Sequence, residues 1–111
     1  MANHRKSGRI PHGVRVVLYW SGIPILPGRM RDVSDRGLFV ETDPNQVVRG
    51  GTIEVGMWLG RSVGAHQRIR TRVIRKEDDG VALAIAPDDK FAGRILRGLV
   101  EEAAGDSAEI A

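Results

Sequence analysis

Apolar residues fall at every second position, in short runs that glycine, proline and aspartate interrupt, and that spacing constrains the fold more than any other feature of the chain. Thr52 to Leu59 shows it most cleanly, with Ile53, Val55, Met57 and Leu59 on one side and Thr52, Glu54 and Trp58 on the other. Successive side chains of a strand point to opposite faces, so such a run reads as a half-buried antiparallel strand. Val14 to Trp20 repeats the pattern, setting Val14, Val16, Leu18 and Trp20 against Arg15, Val17 and Tyr19, and assigns Trp20 to the core. From His66 to Glu77 the run Arg68-Ile69-Arg70-Thr71-Arg72-Val73 keeps its arginines on the wet face, then slips phase at Val73-Ile74, which predicts a β-bulge.

The remaining elements follow from their breakers. Ile23-Pro24-Ile25-Leu26-Pro27-Gly28 is apolar, but two prolines cannot donate to a sheet ladder, so it is placed at an edge or in a bent hairpin, with a strand from about Gly28 to Val33. Gly37 to Thr42 forms the next strand and Asp43-Pro44-Asn45 ends it. Asp79-Gly80 reads as a hairpin turn before the almost wholly apolar strand Val81 to Ala86. After Pro87, Asp88 or Asp89 can cap a helix running to Ala104, with an apolar stripe of Phe91, Ile95, Leu96, Leu99 and Val100. An all-β fold results: a six-stranded antiparallel β-barrel, closed to remove its free edges, with one C-terminal α-helix over an open end or a partner surface. Residues 1–13 are expected to be a flexible arginine-rich segment, 14–104 the barrel and helix, and 105–111 a frayed acidic tail.

Composition narrows the function classes. At 111 residues the chain supports one core. Its net charge of +3 comes mainly from arginine, a planar donor that grips phosphates in two-pronged fashion, so an anionic partner is favoured. Residues 1–37 hold seven Lys or Arg against Asp32 and Asp35, which makes the N-terminal end the positive one. With no cysteine there is no disulfide, thiolate metal site or Cys nucleophile. No apolar run reaches the length of a membrane span and none resembles a signal peptide, so the chain is expected to be soluble and cytoplasmic. Gly60-Arg61-Ser62-Val63-Gly64 matches a hydrolase nucleophile elbow in letters only, because that elbow needs a strand-to-helix turn in an α/β sheet. His4, His12 and His66 have no metal-ligand spacing. No catalytic residue, metal ligand or cofactor site is assigned, and the chain is not read as an enzyme.

Two polar motifs remain. Arg5 and Arg9 stand four apart in a stretch without a core, and Asp32-Val33-Ser34-Asp35-Arg36-Gly37 forms an acid, hydroxyl and glycine turn between the second and third strands. The bland reading makes the first a solvated basic tail and the second a turn whose side chains satisfy their own backbone, with Gly37 at positive φ. Their order and spacing, followed by Leu38 and by a small all-β domain ending in a capped helix, resemble the PilZ domain family of bacterial cyclic di-GMP receptors. The resemblance implies a barrel that holds the cyclic dinucleotide on its outer face, with Arg5, Arg9, Asp32, Ser34 and Gly37 as ligand-binding residues and Lys6 and His4 as secondary candidates. His4 stands where many members carry another arginine. The chemistry of each residue agrees with its implied role. Arginine pairs with phosphate or with guanine O6 and N7, and Asp32 can accept from guanine N1–H and its amine, donors that adenine does not offer together. The resemblance further implies a non-catalytic receptor that changes shape on binding and signals to an effector protein in motility, adhesion or exopolysaccharide control. Two rivals stand beside it: a ligand-free adaptor of the same fold, and a small nucleic-acid-binding barrel, which the scarcity of aromatics beside the arginines disfavours.

Overall fold

The computed structural model describes residues 7–34, 36–58 and 66–98; for 7–13, Trp58 and His66 the description is of the backbone. The strands are β1 (Ser7–Trp20), β2 (Ile23–Ser34), β3 (Gly37–Glu41), β4 (Thr52–Trp58), β5 (His66–Glu77) and β6 (Gly80–Ile85). A helix, α1, spans 92–98 among the described residues. Every strand pairing is antiparallel, and the order β1-β2-β3-β6-β5-β4 closes into a barrel where β4 returns to β1.

Alternation places the core as expected for the later strands. Ile53, Val55 and Met57 of β4 are buried, as are Ile69 and Val73 of β5, Val81 and Leu83 of β6, and Val16, Leu18, Met30 and Val40. The buried polar side chain among them, Thr71, donates its hydroxyl to the Ile53 carbonyl at 2.8 Å, so no donor is stranded. Ile74, 48% exposed, is the extra residue of a bulge between Val73 and Arg75, which keeps Val73 inside and lets Arg75 face outward as well. Ala92 and Leu96 of α1 join the core, with Ile95 packed at its margin. The cap is Asp89, whose Oδ1 accepts from the N–H groups of Phe91 and Ala92 and whose Oδ2 accepts from Arg70 N–H of β5; Asp88 instead pairs with the Arg70 guanidinium.

Four features depart from the sequence reading. Strand β1 begins at Ser7, not Val14, so residues 7–13 are strand where a flexible segment was expected. Backbone pairing to β2 gives Ser7, Gly8 and Arg9 partners that need no core, the register then shifts between Arg9 and Val14, and the apolar count misses the segment. Strand β2 begins at Ile23 and not at about Gly28, so it runs through both prolines, although they lie at an edge as expected. Its pairing with β3 begins only at Arg29, and the Pro27 carbonyl faces that side to accept from Thr42 Oγ1, so the missing Pro27 N–H falls on an unpaired edge. Trp20 is 60% exposed, not core, because it closes the hairpin with Ile23 beyond the last rung that β1 shares with β4. Phe91 is 68% exposed, because the face set by Ala92 and Leu96 leaves it ahead of the helix, on the margin. Leu59, the loop 60–64, Leu99, Val100 and the acidic tail lie outside the described residues.

Candidate functional site

The C-terminal end of β2 and the start of β3 carry the polar turn, and the strand ladder brings the basic segment to it. In the β1–β2 register Ser7 faces Ser34, Gly8 faces Val33 and Arg9 faces Asp32. An arginine and an aspartate that lie more than twenty residues apart in sequence are thus directly opposed across two strands. Arg5, Lys6 and His4, together with Asp35 inside the turn, lie outside the described residues.

Ser34 holds the turn. Its Oγ accepts from the N–H groups of Arg36 and Gly37, each at 3.2 Å, and its hydroxyl faces the Gly37 carbonyl at 3.4 Å. This is a serine turn, as the local reading foresaw. Gly37 is a glycine for another reason than the expected one. Its φ is not positive; a Cβ there would collide with the Leu83 carbonyl of β6. The turn is also bonded to β6 on its other side, where the Arg36 carbonyl accepts from Ile85 N–H at 2.9 Å.

An open groove of about 520 Å³ runs across the outer face beside this turn. Asp32, Ser34 and Arg36 border it, small residues Gly37, Ala82 and Ala84 line it, and Ile74 and Arg75 from the β5 bulge border it too. Ile74 and Arg75 were not singled out as site residues by the sequence reading. The phase slip at Val73-Ile74 was the available signal, since a bulge re-aims the side chains that follow it. Arg75 Nε is engaged with Glu77 at 2.7 Å.

Asp32 is presented, not buried: its side chain is 46% exposed and one oxygen, Oδ2, accepts from Arg31 Nε at 3.0 Å. Arg31 also reaches Glu41 of β3 at 3.3 Å and Asp79 of the β5–β6 turn at 3.1 Å, and its guanidinium lies 4.1 Å from the centroid of the Phe39 ring. The hydrogen bond that Arg31 donates to Asp32 leads the causes that raise the Arg31 pKa above its ordinary value, with Asp79 and Glu41 adding to it against the opposing effect of desolvation. Among the described residues no group of His, Asp and Glu is arranged to hold a metal ion, and no helix is long and apolar enough to cross a membrane.

A family model of the PilZ domain matches residues 3–102. The chain belongs to the PilZ domain family. Both halves of the motif, Arg5 and Arg9 and then Asp32, Ser34 and Gly37, fall within the matched PilZ region. The PilZ domain of YcgR from Escherichia coli, in a structure with c-di-GMP, superposes with a TM-score of 0.73 at 11% identity, covering 98% of this chain and 96% of that one. An uncharacterized Legionella protein superposes with a TM-score of 0.59 at 11% identity, covering 92% of this chain and 97% of the other. At such identities the likeness is one of fold. Comparison with proteins of curated function found no match.

Proposed function

We propose that this PilZ domain is a receptor for cyclic di-GMP, held in the outer groove beside the Ser34–Gly37 turn. The observation that carries the proposal is the β1–β2 register, which opposes Arg9 to Asp32 at the border of that groove. A doubly anionic ligand with guanine bases needs both a guanidinium for phosphate or for O6 and N7, and a carboxylate for N1–H and the exocyclic amine. Arg9 supplies the first, with Arg5 four residues ahead as its companion, Lys6 adding charge and His4 within the same segment. Asp32 supplies the second, and adenine would leave it unsatisfied.

Ser34 acts first through the turn, because two backbone N–H groups occupy its oxygen; its weakly held O–H, 3.4 Å from the Gly37 carbonyl, is the part it can redirect to a ligand. Gly37 acts by letting β3 lie close to β6 beneath the groove. The family match and the YcgR domain's structure with c-di-GMP support the same reading. Bound ligand would clamp β1 against the turn, and a bacterial partner protein in motility, adhesion or exopolysaccharide control would read the changed surface. The bond from Ile85 N–H to the Arg36 carbonyl ties the turn to a residue seven positions before α1, and α1 is the element through which that change would pass.

Calorimetric titration tests this directly. The wild-type chain is expected to bind cyclic di-GMP, and Arg9→Ala to weaken binding about tenfold to a hundredfold, the effect of one charge-assisted hydrogen bond or two. No heat from the wild type at tens of micromolar ligand would overturn the receptor reading in favour of the adaptor.

A further inference from the structure

Arg31 makes side-chain contacts with three separate parts of the site's surroundings. Its side chain is 26% exposed against 46% for Asp32, and its partners come from three separate places: Asp32 beside it, Glu41 and Phe39 on β3, and Asp79 in the β5–β6 turn. Neither Arg31, Glu41 nor Asp79 lines the groove. A half-exposed aspartate near the end of a strand samples several rotamers, and a guanidinium fixed from three directions restricts it to one. Among the described residues the contact uses Nε–H on Oδ2 alone, and an ionised carboxylate has about four acceptor sites, so this contact leaves Oδ1 and part of Oδ2 to the donors of a base.

We infer that Arg31 is a positioning residue for purine discrimination: it orients the Asp32 carboxylate toward the guanine edge, and Asp79 and Glu41 act on the ligand through it. This rests on the reading of the groove as a cyclic di-GMP site. The role differs from simple charge. On electrostatics alone, removing the Asp79 charge would lower the local negative charge and so favour an anionic ligand. Positioning has the opposite sign, because Arg31 would lose an anchor and Asp32 its fixed orientation. Lysine separates the two in the same way. It keeps the charge but lacks the planar fork that reaches Asp32, Glu41 and Asp79 together.

The test titrates wild type, Arg31→Lys and Asp79→Asn with cyclic di-GMP and with cyclic di-AMP, after thermal melts establish that each variant is folded. Arg31→Lys is expected to lower cyclic di-GMP affinity about five- to tenfold and Asp79→Asn about two- to threefold. Neither is expected to change the weaker, phosphate-borne affinity for cyclic di-AMP, so the ratio between the ligands contracts. Glu41→Gln, which removes the other carboxylate that anchors Arg31, is expected to repeat the Asp79→Asn result. Variants that bind as wild type does, that lose both ligands equally, or an Asp79→Asn chain that binds more tightly, would each overturn the inference while the receptor reading stands. A wild-type chain that takes neither dinucleotide overturns both, and is recognised by that alone.

Discussion

Two turns flank β2, and each carries a serine and a glycine for opposite reasons. At Ser21–Gly22 both residues have positive φ, 51° and 79°, as a two-residue hairpin turn of the primed kind requires, and a Cβ on Gly22 would meet nothing within 4 Å. At Ser34–Gly37 neither the serine nor the glycine is in the left-handed region. There the serine is committed to two backbone N–H groups and the glycine is pressed against β6. One turn is a local conformational solution surrounded by solvent. The other is joined to a strand remote in sequence, and for that reason can hold a carboxylate in a constant place for a ligand. A glycine at a turn therefore says nothing of function until its reason for being glycine is known.

The sharpest way to break this comparison is Gly37→Ala. The added carbon would strike the Leu83 carbonyl, and backbone in a closed barrel has little room to move. A loss of about 3 kcal/mol in stability is expected, read as a lower urea midpoint with an unchanged slope, together with weakened cyclic di-GMP binding. A variant as stable as wild type would show that β3 and β6 can separate at this rung, and the turn would no longer count as rigid.

Ser34→Ala comes next. Alanine removes the acceptor for the N–H groups of Arg36 and Gly37, but Arg36 N–H is exposed and water can take part of the load. The expected cost is about 1.5 kcal/mol of stability, with an affinity loss smaller than that of Arg9→Ala. Ser34→Thr, which retains the oxygen, should recover most of the stability. Failure of threonine to do so would mean that the turn has no room for a methyl group, not that the oxygen is idle.

The difference between the turns also marks what could be read from sequence. Strands β4 and β5, and even the bulge at Ile74, were legible because alternation reports directly on a face that is buried, and β6 because its apolar run follows a hairpin turn. The serine turn was legible for the same local reason. Three things were not, because their causes are remote. Ser7 to Arg9 are strand by virtue of the β2 backbone opposite them, and the ladder resumes at Val14 after a register shift, which no side-chain pattern records. Gly37 is glycine because of Leu83, forty-six positions on. Arg31 is fixed by Glu41 and Asp79, whose proximity appears only once β3 and β6 are paired. Trp20 and Phe91 failed in the other direction, since an apolar residue in phase with a buried face was assigned to it although the barrel ends before Trp20 and the helix begins after Phe91.

The smallest effect, and the control for all the others, is expected at Gly22→Ala. Here the space is open, so no atom collides, but alanine must adopt a φ near 79° that L side chains rarely take. The cost is the conformational term alone, about 1 kcal/mol or a little less, and it should appear in the urea midpoint. Binding of cyclic di-GMP should not change, because Gly22 closes the hairpin at the end of β2 opposite to Ser34, with the whole of the strand between them. If affinity nevertheless fell with Gly22→Ala, the β1–β2 hairpin would have to transmit strain along its full length to the Arg9–Asp32 rung. The two turns would then be ends of one device, and the rigidity attributed to the Ser34–Gly37 turn would belong to the hairpin as a whole.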